Sequence, residues 1–159
     1  MRVDRGKMDI DDGDTFETGG LVIRILGLDT PEIKHPEHGF YQDQPFGREA
    51  TIKAVALFDS AAVIEYLPHQ SDRYGRMLAH VFVDGELFPV KMIEAGLAYE
   101  TVSFYGDNGF PDLAALISEA ALRAGDPPFQ NPNEWRKGNR NGPRKSLVRI
   151  IKDMLKWFD

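Results

Sequence analysis

The run LVIRILGLD, residues 21–29, constrains this chain more than any other stretch. Its β-branched and apolar residues read as a strand. Arg24 stands in the middle of it, and Asp29, Thr30, Pro31 and Glu32 follow at its exit. A guanidinium placed in an apolar strand is very costly unless it meets an anion. The fold must therefore bring an acid, or a bound anionic group, to that point of a sheet. A structural ion pair with a nearby carboxylate is one solution. A phosphate gripped by the planar Arg fork is the other.

The rest of the first half is also strand-like. Gly19-Gly20 marks a turn before the run, and AAVIEYL (61–67) is a second β-branched and aromatic segment stopped by Pro68. RMLAHVFV (76–83) alternates, and Asp84-Gly85 before ELF is a hairpin signal. Helical patterns are inserted and appended. QPFGREATIKAVALFDS (44–60) places Ala50, Ala54, Leu57 and Phe58 at helical spacing. PVKMIEAG (89–96) is a short helix with Pro near its start and Gly at its end. PDLAALISEAALRAG (111–125) carries Leu113, Leu116, Ile117, Ala120 and Ala121 on one face. The Pro/Gly/Asn-rich stretch 125–145 reads as a long irregular connection, and 146–159 as an amphipathic terminal helix suited to docking or oligomerisation. Short strands with added helices indicate an α+β fold, mainly β. A small, partly open barrel is one way to bury such strands; a flat sheet is another.

At 159 residues the chain suits one domain, and 42% apolar content allows one core. No apolar run approaches the roughly 20 residues that span a bilayer. The charged start MRVDRGKMDIDDGD has no apolar region of the signal-peptide kind. With no Cys, disulfides and thiolate metal sites are excluded and the compartment stays unassigned. The net charge of −6 is uneven: residues 136–159 hold eight Lys/Arg and two Asp, leaving 11 Lys/Arg against 23 Asp/Glu in residues 1–135. That acidic body argues against a large duplex-coating surface, but not against a small site gripping one phosphate.

Three polar stretches carry the chemistry. DDGDT (11–15) is an ordinary Asp/Gly turn if taken alone, or a source of carboxylates for a hard cation. It is not an EF-hand loop, because Gly13 at the sixth position puts Met8 first and Gly19 twelfth. LDTPE supplies Asp29 and Glu32, and DRYGR (72–76) is a charged loop between strands. One metal, two Arg and one free carboxylate form the minimum set for phosphodiester hydrolysis. The metal polarises the phosphoryl oxygen, the arginines stabilise the added charge, and the carboxylate deprotonates a water. His35 and His38 form H-x-x-H, but zinc needs two more ligands and no helix frames them.

DGDT, RILGLDTPE and DRYGRMLAHV resemble, in order and separation, the signature blocks of the staphylococcal-nuclease-like (thermonuclease) family. The likeness continues through MIEAGLAY to the helix at 111–124. It implies an OB-fold, a five-stranded barrel with three helices, here followed by a C-terminal extension helix. The expected division is a nuclease-like domain over 1–135 and a basic linker and amphipathic helix over 136–159. It also implies a Ca²⁺-dependent nuclease acting on DNA and RNA, single-stranded or flexible, that cuts the 5′ P–O bond and leaves 3′-phosphate ends. The alternative is the same barrel as a non-catalytic oligonucleotide- or protein-binding module. By this resemblance Asp14 and Asp29 are the Ca²⁺ carboxylates, Thr30 lends a backbone carbonyl, and Asp12 stands behind them. Glu32 is the general base, and Arg24 and Arg76 grip the phosphate. Arg73, Tyr74 and Tyr105 contact substrate, with Phe104 the other candidate for the last position. With two direct carboxylates, Ca²⁺ affinity is expected to be weak, on the order of 10⁻⁴–10⁻³ M. The acidic body and the C-terminal fifth depart from the family pattern.

Overall fold

The computed structural model describes residues 1–140. Its strands are β1 (Met8–Ile10), β2 (Thr15–Thr18), β3 (Leu21–Ile25), β4 (Leu28–Asp29), β5 (Ile64–Ser71), β6 (Met77–Val83), β7 (Glu86–Leu87) and β8 (Tyr99–Glu100). The helices are α1 (Gly47–Ser60), α2 (Phe88–Glu94), α3 (Val102–Tyr105), α4 (Pro111–Ala124) and α5 (Pro132–Asn139). The main sheet runs β1-β2-β3-β6-β5 with β7 on β6, while β4 and β8 pair separately.

Local chemistry explains most of the elements. Gly19 and Gly20 both have positive φ, 57° and 84°, the turn that joins tightly paired antiparallel strands. β2 and β3 pair across it, with Thr15 opposite Arg24 and Thr18 opposite Leu21. Asp84-Gly85 turns β6 into β7 in the same way, and Asp84 Oδ1 also accepts from Val63 N–H at 2.8 Å. β3 lies parallel to β6, with Arg24 opposite Leu78. A parallel pair needs a long crossover. The intervening chain supplies it with α1 and β5.

The sheet is curled into an open half-barrel rather than a closed one. Phe16, Ile23, Ile25, Ile64, Ala79 and Val81 from the strands are buried against Ala50, Ala54 and Phe58 of α1 and against Phe88 and Met92 of α2. Phe58 stacks on Phe88 with ring centroids 4.6 Å apart. Ile117 and Ala120 of α4 close the same core, whereas Leu116, expected on that face, is half exposed.

Two expectations are corrected. Among the described residues there are five α-helices, not three, because the one-turn α3 and the added α5 join the larger three. The stretch 125–145 is not wholly irregular. Asn131 Oδ1 accepts from Asn133 N–H at 2.9 Å and Pro132 opens α5, so N-P-N-E is a helix start. The expected boundary between residues 135 and 136 falls within α5. The amphipathic helix expected over 146–159 lies outside the described residues. Among the described residues no helix is long and apolar enough to cross a membrane.

Candidate functional site

The alternation of β3 answers the question Arg24 raises. Ile23 and Ile25 point into the core, and Arg24 emerges on the opposite face. There it meets the turn before β2 and the end of β4. Arg24 Nη1 is in direct contact with Asp14 Oδ1, and Nη2 lies 3.1 Å from Asp29 Oδ1. Only 18% of its side chain is exposed. Asp14 is fixed further by Thr30, whose N–H donates to Asp14 Oδ2 at 2.9 Å. The two segments approach so closely that a Cβ on Gly13 would sit 2.8 Å from the Thr30 side chain. Asp12 caps the same turn, accepting from Asp14 N–H at 3.1 Å.

Charge and burial set the protonation states. Burial pushes the Asp14 carboxyl up, but Arg24 and the Thr30 N–H outweigh it and hold Asp14 below the usual carboxylate range. Asp12 is pushed well up, by burial first and then by the Asp14 charge. For Arg24 burial opposes the cation, yet Asp14 and Asp29 raise its pKa further. Glu32 is shifted upward, chiefly by burial. Arg136 opposes that shift, and Asp14 and Asp29 add to it.

Arg136 of α5 is the residue that sequence reasoning missed. Its Nη2 lies 2.7 Å from Asp29 Oδ2 and its Nη1 3.1 Å from Asp29 Oδ1. The same Nη1 is 2.5 Å from Glu32 Oε1. Asp14, Asp29 and Glu32 are thus bridged by two guanidinium groups. Gln44, only 1% exposed, was missed as well. Its Oε1 accepts from Glu32 N–H at 3.2 Å, and its Nε2 donates to the Gln130 carbonyl at 2.6 Å. The helix start at Asn131 was the available signal for Arg136. Nothing local marks Gln44.

Arg76 does not join this cluster. Its Nε is 2.8 Å from Asp72 Oδ2, and Asp72 Oδ1 accepts from both Tyr74 and Arg76 N–H groups at 2.9 Å. Its terminal nitrogens have no hydrogen-bond partner among the described residues. The exposed Tyr74 ring lies under Arg73 and Arg76, 4.8 and 5.6 Å from their Cζ atoms, and its hydroxyl accepts from Arg73 at 2.6 Å. Tyr105 and Phe104 sit together on α3, both exposed, with ring centroids 4.8 Å apart. Among the described residues the Tyr105 hydroxyl makes no hydrogen bond to the acids.

The donor set around Asp14, Asp29 and Thr30 is all hard oxygen, which suits a cation such as Ca²⁺ or Mg²⁺. Two neighbouring groups also bring possible metal-ligating atoms within 4.8 Å of one another: His35, Glu37 and His38, and Asp11, Asp12 and His35. The structure therefore supplies His35 with the acidic neighbours that its sequence motif lacked.

The family model for staphylococcal nuclease homologues matches residues 22–123. The chain belongs to that family. It is 37% identical over 87 residues to the thermonuclease of Staphylococcus hyicus, covering 54% of this chain and 48% of that one. The thermonuclease of Staphylococcus intermedius is 36% identical over 102 residues, covering 64% and 56%. The "Staphylococcal-like nuclease CAN1" of Arabidopsis thaliana is 30% identical over 125 residues, covering 76% and 34%. The chain spans between a third and just over half the length of these relatives. The Asp12–Asp14 turn precedes the stretch matched by the family model, and α5 follows it.

Proposed function

We propose that this nuclease-family chain hydrolyses phosphodiester bonds of DNA or RNA with the help of Ca²⁺. The observation that carries this reading is the gathering of three carboxylates by two guanidinium groups, Asp14 and Asp29 on Arg24 and Asp29 and Glu32 on Arg136. Asp14, Asp29 and the Thr30 carbonyl would hold the ion, which when bound polarises a phosphoryl oxygen and offsets the acids' charge. Glu32, made more basic by burial, takes a proton from the attacking water. The water oxygen forms a bond to phosphorus as the bond to the 5′ oxygen breaks. The 5′ oxygen leaves as a hydroxyl with a proton taken from solvent, Glu32 returns its own proton to solvent, and the phosphate stays on the 3′ side. Arg24 and Arg76 bring fixed positive charge to the phosphate as its charge grows. Tyr74 with Arg73, and Tyr105 on α3, are exposed where a flexible strand can lie along them.

A binding module without hydrolysis is the second reading. It is favoured by the Arg136 guanidinium, which engages both Asp29 oxygens and Glu32. One gel separates the two. Wild-type protein should cut single-stranded DNA with CaCl₂ and stop with excess chelator. Glu32→Gln should be slower by at least about 10²-fold, the scale of a lost general base. Retarded but uncut DNA would replace the hydrolytic reading by the binding one.

A further inference from the structure

The proposed ion site already contains a cation that the family-matched stretch does not supply. Arg136 comes from α5, outside residues 22–123, yet it makes the only bidentate grip on Asp29 among the described residues and also holds Glu32. It is not a side chain that swings in from solvent. The segment carrying it is fastened on both sides. Phe129 and Trp135 are buried, and Trp135 lies against Phe40 with ring centroids 5.8 Å apart. The Phe129 carbonyl accepts from the Tyr99 hydroxyl at 2.6 Å, and the Gln130 carbonyl from Gln44 at 2.6 Å. Gln44 in turn holds the Glu32 backbone at both ends, since its own N–H donates to the Glu32 carbonyl at 2.8 Å. The guanidinium and the carboxylates it grips are therefore parts of one packed unit.

We propose that Arg136 is a fixed charge-balancing clamp. It positions Glu32 and Asp29 and keeps the neighbouring divalent-cation site weak, because its own positive charge stands beside the incoming ion.

The charges support this. Asp14, Asp29 and Glu32 carry up to three negative charges, and Arg24 and Arg136 return two. One negative charge remains, a weak attraction for a divalent ion. Without Arg136 the same site holds two uncompensated charges, and attraction for a cation grows accordingly. A carboxylate oxygen accepts more than one partner, so an ion can share Asp29 with the guanidinium without expelling it. Sharing still sets two positive groups near each other, and like charges at such range oppose binding. The clamp also does what an absent ion would otherwise do: it keeps the acids from repelling one another when no cation is bound.

The inference rests on the ion site proposed above, and calorimetry with CaCl₂ alone, without nucleic acid, tests it. Arg136→Met keeps the aliphatic stem and removes the charge. It should bind Ca²⁺ at least tenfold more tightly than wild type, while Arg136→Lys, which keeps the charge, should stay within threefold of it. In chelator Arg136→Met should melt below wild type, and saturating CaCl₂ should recover most of that loss. If Arg136→Met folds only with CaCl₂ present, that rescue supports the clamp. Failure to recover would assign Arg136 a purely structural role and overturn it. Wild type that binds Ca²⁺ with an affinity equal to or tighter than that of Arg136→Met overturns the clamp and leaves the ion site standing. If neither protein binds Ca²⁺, the ion site itself is wrong and the clamp falls with it.

Discussion

Removing Arg24 is the most direct probe of how the acidic lip is held together. Arg24→Met keeps a long apolar side chain on β3 and deletes the charge that touches Asp14 and Asp29. Breaking a buried ion pair by deleting one partner costs about 3–5 kcal/mol, because the abandoned charge has no water to turn to. Arg24 keeps 18% of its side chain exposed, so the lower end, about 3 kcal/mol, is expected. For a domain of this size that is a fall in Tm of about 6–12 °C. The assay is a thermal melt in chelator at pH 7.5, repeated across pH. Asp14 is held low in the wild type by Arg24, so its share of stability is present at neutral pH and lost as pH falls through its folded value. The gap between wild type and variant should therefore narrow in acid, where Asp14 is protonated in both. Saturating CaCl₂ should also narrow it, because a divalent ion can stand in for the missing charge. A loss below about 1 kcal/mol in chelator at neutral pH would show that the acids do not depend on Arg24.

His80 is 2% exposed, neither ring nitrogen has a hydrogen-bond partner among the described residues, and its ring meets Phe110 edge-on at 4.9 Å. Burial first, then the neighbouring His69, lowers its pKa from 6.5 to about 4. The unfolded chain therefore binds the extra proton first, and stability should drop as pH falls from 6.5 towards 4. The gap corresponds to about 3 kcal/mol at full effect, or about 2 kcal/mol after allowing for solvent screening. Urea midpoints at pH 8 and pH 4.5 should show this drop in wild type and about 2 kcal/mol less of it in His80→Leu. Gly47 opens α1 directly against the Glu32 carbonyl, and a Cβ there would overlap that oxygen. Gly47→Ala should displace Glu32 and lower kcat by at least about tenfold, more than it raises KM, a split that a steady-state assay reads directly.

Much of this architecture is legible in the sequence because it is written locally. Gly19-Gly20 and Asp84-Gly85 dictate turns by backbone conformation, and Ala50, Ala54 and Phe58 repeat at the helical period. Arg24 in an apolar strand forces an anionic partner by desolvation cost alone, and Asp14 and Asp29 are where the surrounding blocks point. What escapes has a non-local cause. The openness of the half-barrel depends on sheet curvature, which no single segment encodes. Leu116 has the right spacing for the core but faces outward, since α4 buries its Ala114 and Ile117 side instead. Arg136 is hidden because the Pro and Asn residues before it suggest a loop. There they serve as a cap and a first turn, and the contact with Asp29 spans 107 residues of chain. Arg76 sits in a recognisable loop, but its hydrogen bond to Asp72 rather than to the acidic lip is set by side-chain geometry alone.

The way Phe129 and Trp135 seat against the body bears on where this protein can be cut. A fragment ending at residue 123, where the family likeness stops, would bare the Phe40, Phe46 and Tyr99 rings that those two residues cover. It would also strand the Gln44 amide. The smallest autonomous piece of this molecule is therefore longer than its ancestry alone suggests, and expression trials should retain everything through Asn139.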